Sequence, residues 1–145
     1  MRRFTSETSP ETHAIIGAAI EVQRHLGSGM LESAYADALE VELADRSVDH
    51  RREVPLPITY KGRVLRTVYR ADFICGKGVL VELKAASALT NVDLAQVGHY
   101  LAVTGLTTAL LLNFGHAPLQ IRRFVNGLMD PVSADSVDSA VGPAA

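Results

Sequence analysis

The sequence predicts an α/β domain, on three observations. A capped amphipathic stretch begins at Pro10, and a second helical pattern follows over about 30–46. Three strand-like runs between Arg51 and Ala85 are joined by glycine turns as a meander. A further capped helix then leads from Thr90 into the apolar, β-rich run Thr107 to Phe114. The chain has 145 residues, 48% hydrophobic and 21% charged, which suits one domain able to bury a sizeable core.

Each element has a local reason. Ser9-Pro10-Glu11 supplies an N-cap, a proline at the first helical position and an acid in the first turn. Ile16, Ala19, Ile20, Gln23 and Leu26 continue at helical spacing until Gly27-Ser28-Gly29 interrupts it. The second helix carries the stripe Leu31, Tyr35, Leu39 and Leu43 with Ala34, Ala38 and Val41. Glu32 lies at the border of that stripe, where it either reaches a neighbouring cleft or serves as a first-turn acid for the helix dipole. Arg51 to Tyr60 alternates Val54, Leu56, Ile58 and Tyr60 against Pro55 and Pro57, so this strand is at an edge or bulged.

Tyr60-Lys61-Gly62-Arg63 reads as a turn, Val64 to Cys75 as the next strand and Val79 to Ala85 as the third. Thr90, with Asp93 three residues on, caps a helix with core stripe Leu94, Val97 and Leu101; Gln96 and Tyr100 share another face. Gln120 to Val125 forms a short last strand. From Asn126 the Ser, Asp, Pro, Gly and Ala composition predicts a frayed tail through 145, leaving 1–125 as the domain.

The hairpin Tyr69 to Lys84 organises the rest. With Gly76-Lys77-Gly78 as a three-residue loop, pairing is symmetric about Lys77 and Asp72 faces Glu82. Lys84 then projects on the side of Glu82, while Tyr69, Ala71, Phe73, Cys75, Val79, Val81, Leu83 and Ala85 form an uncharged core face. Opposed carboxylates repel unless something cationic intervenes. Lys84 or Arg70 neutralising them as a solvated ladder is one reading. The other starts from Ile74 and Leu80 on the charged face and Val79-Leu80-Val81, which suggest a strand covered on both sides; charges there need a reason.

The formal charge of −2 and pI near 6.2 exclude a global basic field. Residues 46–84 nevertheless hold nine Lys/Arg against four Asp/Glu, so the strand region is the basic part. Cys75 is the only cysteine and the five histidines have no zinc-type spacing, which excludes a disulfide framework and favours a reducing cytoplasm. Met1-Arg2-Arg3-Phe4 runs into Thr, Ser and Glu without an apolar signal core, and no run approaches the ~20 residues of a membrane span.

Gly29-Met30-Leu31-Glu32-Ser33-Ala34-Tyr35 matches GxxExxY. Together with Tyr69-Arg70-Ala71-Asp72, Val81-Glu82-Leu83-Lys84 and Gln96-Val97-Gly98-His99-Tyr100, it makes residues 10 to 125 resemble the GxxExxY family of the PD-(D/E)xK nuclease superfamily. Glu-x-Lys alone is a weak signal; the ordered set is much stronger. The resemblance implies a restriction-endonuclease-like core of order αβββαβ, with a mixed sheet flanked by helices. Ala71 stands where the superfamily's name has proline, which bears on strand geometry and not on ligand chemistry.

The resemblance further implies magnesium-dependent phosphodiester hydrolysis, with manganese as a substitute, on nucleic acid and DNA first. Asp72, Glu82 and the Leu83 carbonyl would hold the metal, Glu32 would add a ligand or water contact, and Lys84 would orient water or offset transition-state charge. Gln96 and Tyr100 would position water and phosphate, or form an ordinary helix face. The lack of an apolar span argues against a membrane, and a homodimer stays open. Two other classes stay open: a nuclease-fold module that binds nucleic acid or protein without cutting, and a protein unrelated to nucleic acid. In the last, Lys61, Arg63, Arg66 and the Arg51-Arg52 pair would not cluster around the acidic cleft.

Overall fold

The computed structural model describes residues 9–135. Its helices are α1 (Pro10–Leu26), α2 (Glu32–Asp45) and α3 (Asn91–Thr104). The strands are β1 (His50–Tyr60), β2 (Arg63–Cys75), β3 (Val79–Lys84), β4 (Thr108–Asn113), β5 (Gln120–Val125) and β6 (Leu128–Val132). They form one six-stranded sheet in sequence order, antiparallel except for the β3–β4 pair. A parallel pair needs a crossover, and α3 supplies it. The mixed sheet with flanking helices is the α/β, restriction-endonuclease-like arrangement that the sequence predicts. No helix among the described residues is long and apolar enough to cross a membrane.

The sheet separates two apolar layers. On one side Phe73, Cys75, Val81, Leu83, Leu110 and Leu112 pack with Ile15 and Ile16 of α1 and Tyr35, Leu39 and Leu43 of α2. On the other, Leu80, Ala109 and Leu111 pack with Leu56 and with Val97 and Tyr100 of α3. β3 is therefore covered on both faces, which settles why its sequence is apolar in both directions.

The local signals for the helix starts hold. Ser9 accepts from the Thr12 N–H with Pro10 at the first helical position, and Thr90 and Asp93 form a full capping box. The Gly76-Lys77-Gly78 loop is fastened by α1, since the Lys77 N–H donates to Glu11 Oε1 at 2.6 Å. A Cβ at Gly76, whose φ is +54°, would collide with that carboxylate.

Several expectations need correction. Leu31 and Val41 are 76% and 59% exposed, not core. Leu31 is the N-cap, ahead of the first turn, and Val41 is two residues from both Leu39 and Leu43, roughly 200° around the helix from each.

Tyr69 and Ala71 do not share the layer of Phe73; they pack on the α3 side with Leu56 and Tyr100. The sheet bends at this level, where Glu53 of β1 takes φ +53° and no ladder pair joins it to Asp72. Alternation carried through that bend gives the wrong face.

Residues 128–132, assigned above to the tail, form β6. Asn126-Gly127, both at positive φ, turn the chain back onto β5, and Arg123 meets Asp130 across the pair at 3.1 Å. Ala134, beyond β6, also packs against the α1–α2 layer, and the rest of the tail expectation, 136–145, lies outside the described residues.

Candidate functional site

The β2–β3 ladder runs from Cys75–Val79 to Phe73–Val81 in the predicted register and stops there. One step further the side chains take over the bonding. The Asp72 N–H donates to Glu82 Oε1 and the Leu83 N–H donates to Asp72 Oδ2, both at 2.8 Å. Two carboxylates thus lie across the mouth of the hairpin, where β2 parts from β3 while β3 stays paired with β4 through Lys84.

Burial decides their charge state. Glu82 is only 5% exposed, and its carboxyl is pushed up to about 9, first by loss of water and then by the neighbouring Asp72. Asp72 is also raised, again chiefly by burial, with the Leu83 N–H pulling the other way. At neutral pH, without a cation between them, the pair retains a proton.

Glu32 reaches this cleft because of how the GxxExxY stretch folds. Gly29 adopts φ +103°, open to glycine. The Tyr35 hydroxyl donates to the Gly27 carbonyl at 2.6 Å and accepts from the Met30 N–H at 3.2 Å, while its ring stacks on Phe114 with centroids 4.7 Å apart. Tyr35 therefore clamps the loop that launches α2, and Glu32 opens that helix. The Glu32 carboxyl is raised by burial first and Asp72 second, against a lowering by Lys84. It keeps solvent contact while feeling Asp72 and Lys84 of the hairpin.

Lys84 ends β3. Its Nζ lies 3.8 Å from Asp93 Oδ1, while Asp93 Oδ2 accepts from the Thr90 N–H at 2.9 Å. Asp93 so links the lysine to the cap of α3. The chain just past Lys84 is fixed by buried Asn113, which accepts from the Ala86 N–H and donates to the Ala86 carbonyl and Gln120. Tyr100 is buried, with its ring 5.0 Å from that of Tyr69, and its hydroxyl is raised by burial and then by Glu82 and Asp72. Gln96 is half-buried on the same helix, and no hydrogen bond joins its side chain to the carboxylates. Leu83 buries its side chain and commits its N–H to Asp72.

The structure therefore gathers Glu32, Glu82, Lys84 and Tyr100 within electrostatic reach of Asp72, with Gln96 at the periphery. Three neighbours were not singled out from the sequence as site residues. Two of them, Arg52 and Glu53, line one cleft of about 180 Å³ with Asp72, Glu32, Ser33, Ala36 and Leu83. Arg52 is held there by Asp37 at 2.7 Å, and Asp93 joins from the α3 side. Asp93 was visible as a cap, and nothing in its spacing shows the second duty. Lys61, Arg63 and Arg66 stand on the outer β1–β2 ribbon, and Arg51 lines a separate groove, so the cations do not all gather at the cleft.

Among the described residues no three His, Cys, Asp or Glu side chains form a preformed metal cage. The donor set consists of hard carboxylate oxygens. It fits a hard divalent cation that takes one or two carboxylates and keeps several waters.

The family model of the PD-(D/E)XK nuclease superfamily matches residues 9–124, and the chain belongs to that superfamily. Membership suggests nuclease activity, nucleic-acid binding and use of a divalent metal. A solved structure, "Crystal structure of SSO0001", is similar at 15% identity over 94% of this chain and 76% of its own, with a TM-score of 0.50, a likeness of fold alone. A comparison with curated proteins finds no match.

Proposed function

We propose that the protein is a cytoplasmic, magnesium-dependent DNA nuclease of the GxxExxY group, built as one nuclease-like domain that runs through β6. The observation that carries the reading is the buried Asp72–Glu82 pair, kept against its own repulsion inside a nuclease-superfamily fold. A stability-driven sequence has no use for two buried, opposed carboxyls.

Asp72, Glu82 and the Leu83 carbonyl are the residues that would hold the metal, with Glu32 contributing through oxygen or water from the helix side. A cation held there would lower the pKa of bound water and offset charge on the scissile phosphate. Lys84 is the chain's own cation for the developing negative charge, and Asp93 aims it. Tyr100 offers a hydroxyl beside the carboxylates for holding phosphate or water, and Gln96 one turn earlier supports the same face. Arg52 balances the acid on the α2 side.

The test uses purified wild type, Glu82→Gln and Lys84→Met on single-stranded, duplex and branched DNA in magnesium and in manganese. Glu82→Gln should lose metal affinity and cleavage together. Lys84→Met should keep or gain metal affinity while cleavage falls by about 3–4 kcal/mol of transition-state stabilisation. Equal cutting by Lys84→Met and wild type would remove the lysine from the mechanism.

A binding module without cleavage is the second reading, favoured by the lack of a preformed cage among the described residues. A wild type that binds metal and DNA yet cuts none of the substrates would establish it. The scatter of the basic residues away from the cleft was the mark of a protein unrelated to nucleic acid; superfamily membership weighs against that third reading.

A further inference from the structure

We infer that the free end of the β1–β2 hairpin is an arm that enters the groove of duplex nucleic acid beside the cleft. The inference rests on the nuclease reading and names how its substrate is gripped. Past the Leu56–Tyr69 pair both strands leave the body of the protein, and every residue from 57 to 68 except Ile58 is exposed. A two-stranded ribbon with neither face covered gains little stability by itself. This one also displays Tyr60, Val64, Leu65 and Val68 to solvent, Val64 at 70%.

Charge selects the occupant. From Val54 to Ala71 the chain holds Lys61, Arg63, Arg66 and Arg70 and no Asp or Glu. Two copies of such a ribbon would oppose like charges, whereas a polyanion neutralises them. Aliphatic side chains interleaved with cations suit base edges flanked by phosphates.

Dimensions agree. Strands about 4.8 Å apart make a ribbon that a major groove of about 12 Å admits. The Lys61-Gly62 turn, with both residues at positive φ, keeps its tip narrow. Gly62 lies ten residues along β2 from Asp72, so the tip reaches up to about 33 Å from the cleft, close to one duplex turn. The strand that grips is the strand that carries Asp72, so the grip sets the register of the cut.

Two variants test this in chelator with a duplex of about two turns. In one, Lys61→Gln, Arg63→Gln and Arg66→Gln are combined. In the other, an Asn-Gly turn joins Pro57 directly to Val68, which already face each other across the ladder. Both should weaken duplex binding tenfold or more, and the slope of log K against log salt should become shallower by about 2–3. Their melting-temperature response to magnesium should match wild type. Unchanged duplex affinity and slope would overturn the arm. So would a wild-type dimer, by sedimentation, that the shortened variant converts to monomer with duplex binding intact. Cleavage distinguishes the two proposals: a wild type that loses duplex grip with the ribbon but cuts nothing removes the nuclease reading and keeps the arm.

Discussion

Asp72 and Glu82 make folding and metal binding compete for the same protons. Glu82 titrates near 4.5 when unfolded and near 9 when folded, so between those values the folded chain binds more protons. The pair's stability is complete below the unfolded value and is lost as pH rises through the folded one. In chelator, the melting temperature should therefore decline from pH 5 toward pH 9 relative to a Glu82→Gln control. Magnesium should lift it most at the alkaline end, where the carboxylates are free to bind. Asp72→Asn should be more stable than wild type in chelator and respond less to magnesium; equal responses would sink the shared-site reading. The opposition of these two residues could be read from a three-residue glycine loop and period-two counting, because both are local rules. The parts played by Arg52, Glu53 and Asp93 could not, since they reach the cleft from β1 and α3, outside the hairpin, through tertiary packing.

The launch of α2 is governed by one hydroxyl. Tyr35→Phe keeps the ring on Phe114 and removes the bonds to Gly27 and Met30, so the fold should lose about 1–2 kcal/mol in urea denaturation. The position of Glu32 should suffer with it. If Glu32 contributes to the metal, magnesium affinity should fall in this variant although no ligand has changed, as calorimetry would read. Unchanged affinity would separate the GxxExxY clamp from the metal. The stripe of Tyr35, Leu39 and Leu43 found this helix, yet Leu31 and Val41 were counted inside: spacing alone does not say where the helix begins, and Val41 is out of phase with Leu39 and Leu43. β6 was missed for the opposite reason: composition suggested a tail, although Asn126-Gly127 is a hairpin-turn signal.

The order of elements followed from periodicity, capping and turns, which each act over a few residues. How the sheet bends did not. The bend at Glu53 and Asp72 exchanges the two apolar layers between Phe73 and Ala71, and alternation is blind to a left-handed residue on the neighbouring strand. The same blindness hid the arm: an alternating run predicts one covered face, while residues 57–68 have no layer on either side.

The glycine loop that Glu11 fastens has a last consequence, through the residue just before it. Cys75 is fully buried beneath α1, and burial, then the charge of Glu11, pushes its thiol up to about 12. At neutral pH it is neither ionised nor reachable, so an alkylating reagent can mark it only when the hairpin comes away from its helices. The chain's lone thiol is thus a built-in clock for opening of the segment that carries Asp72 and Glu82. Labelling with iodoacetamide should be slow in buffer and fast in urea. Magnesium at about a hundred times its dissociation constant should slow it about a hundredfold if the ion binds only the closed hairpin. Labelling at one rate with and without the ion would mean that whatever magnesium holds, it does not hold these two strands together.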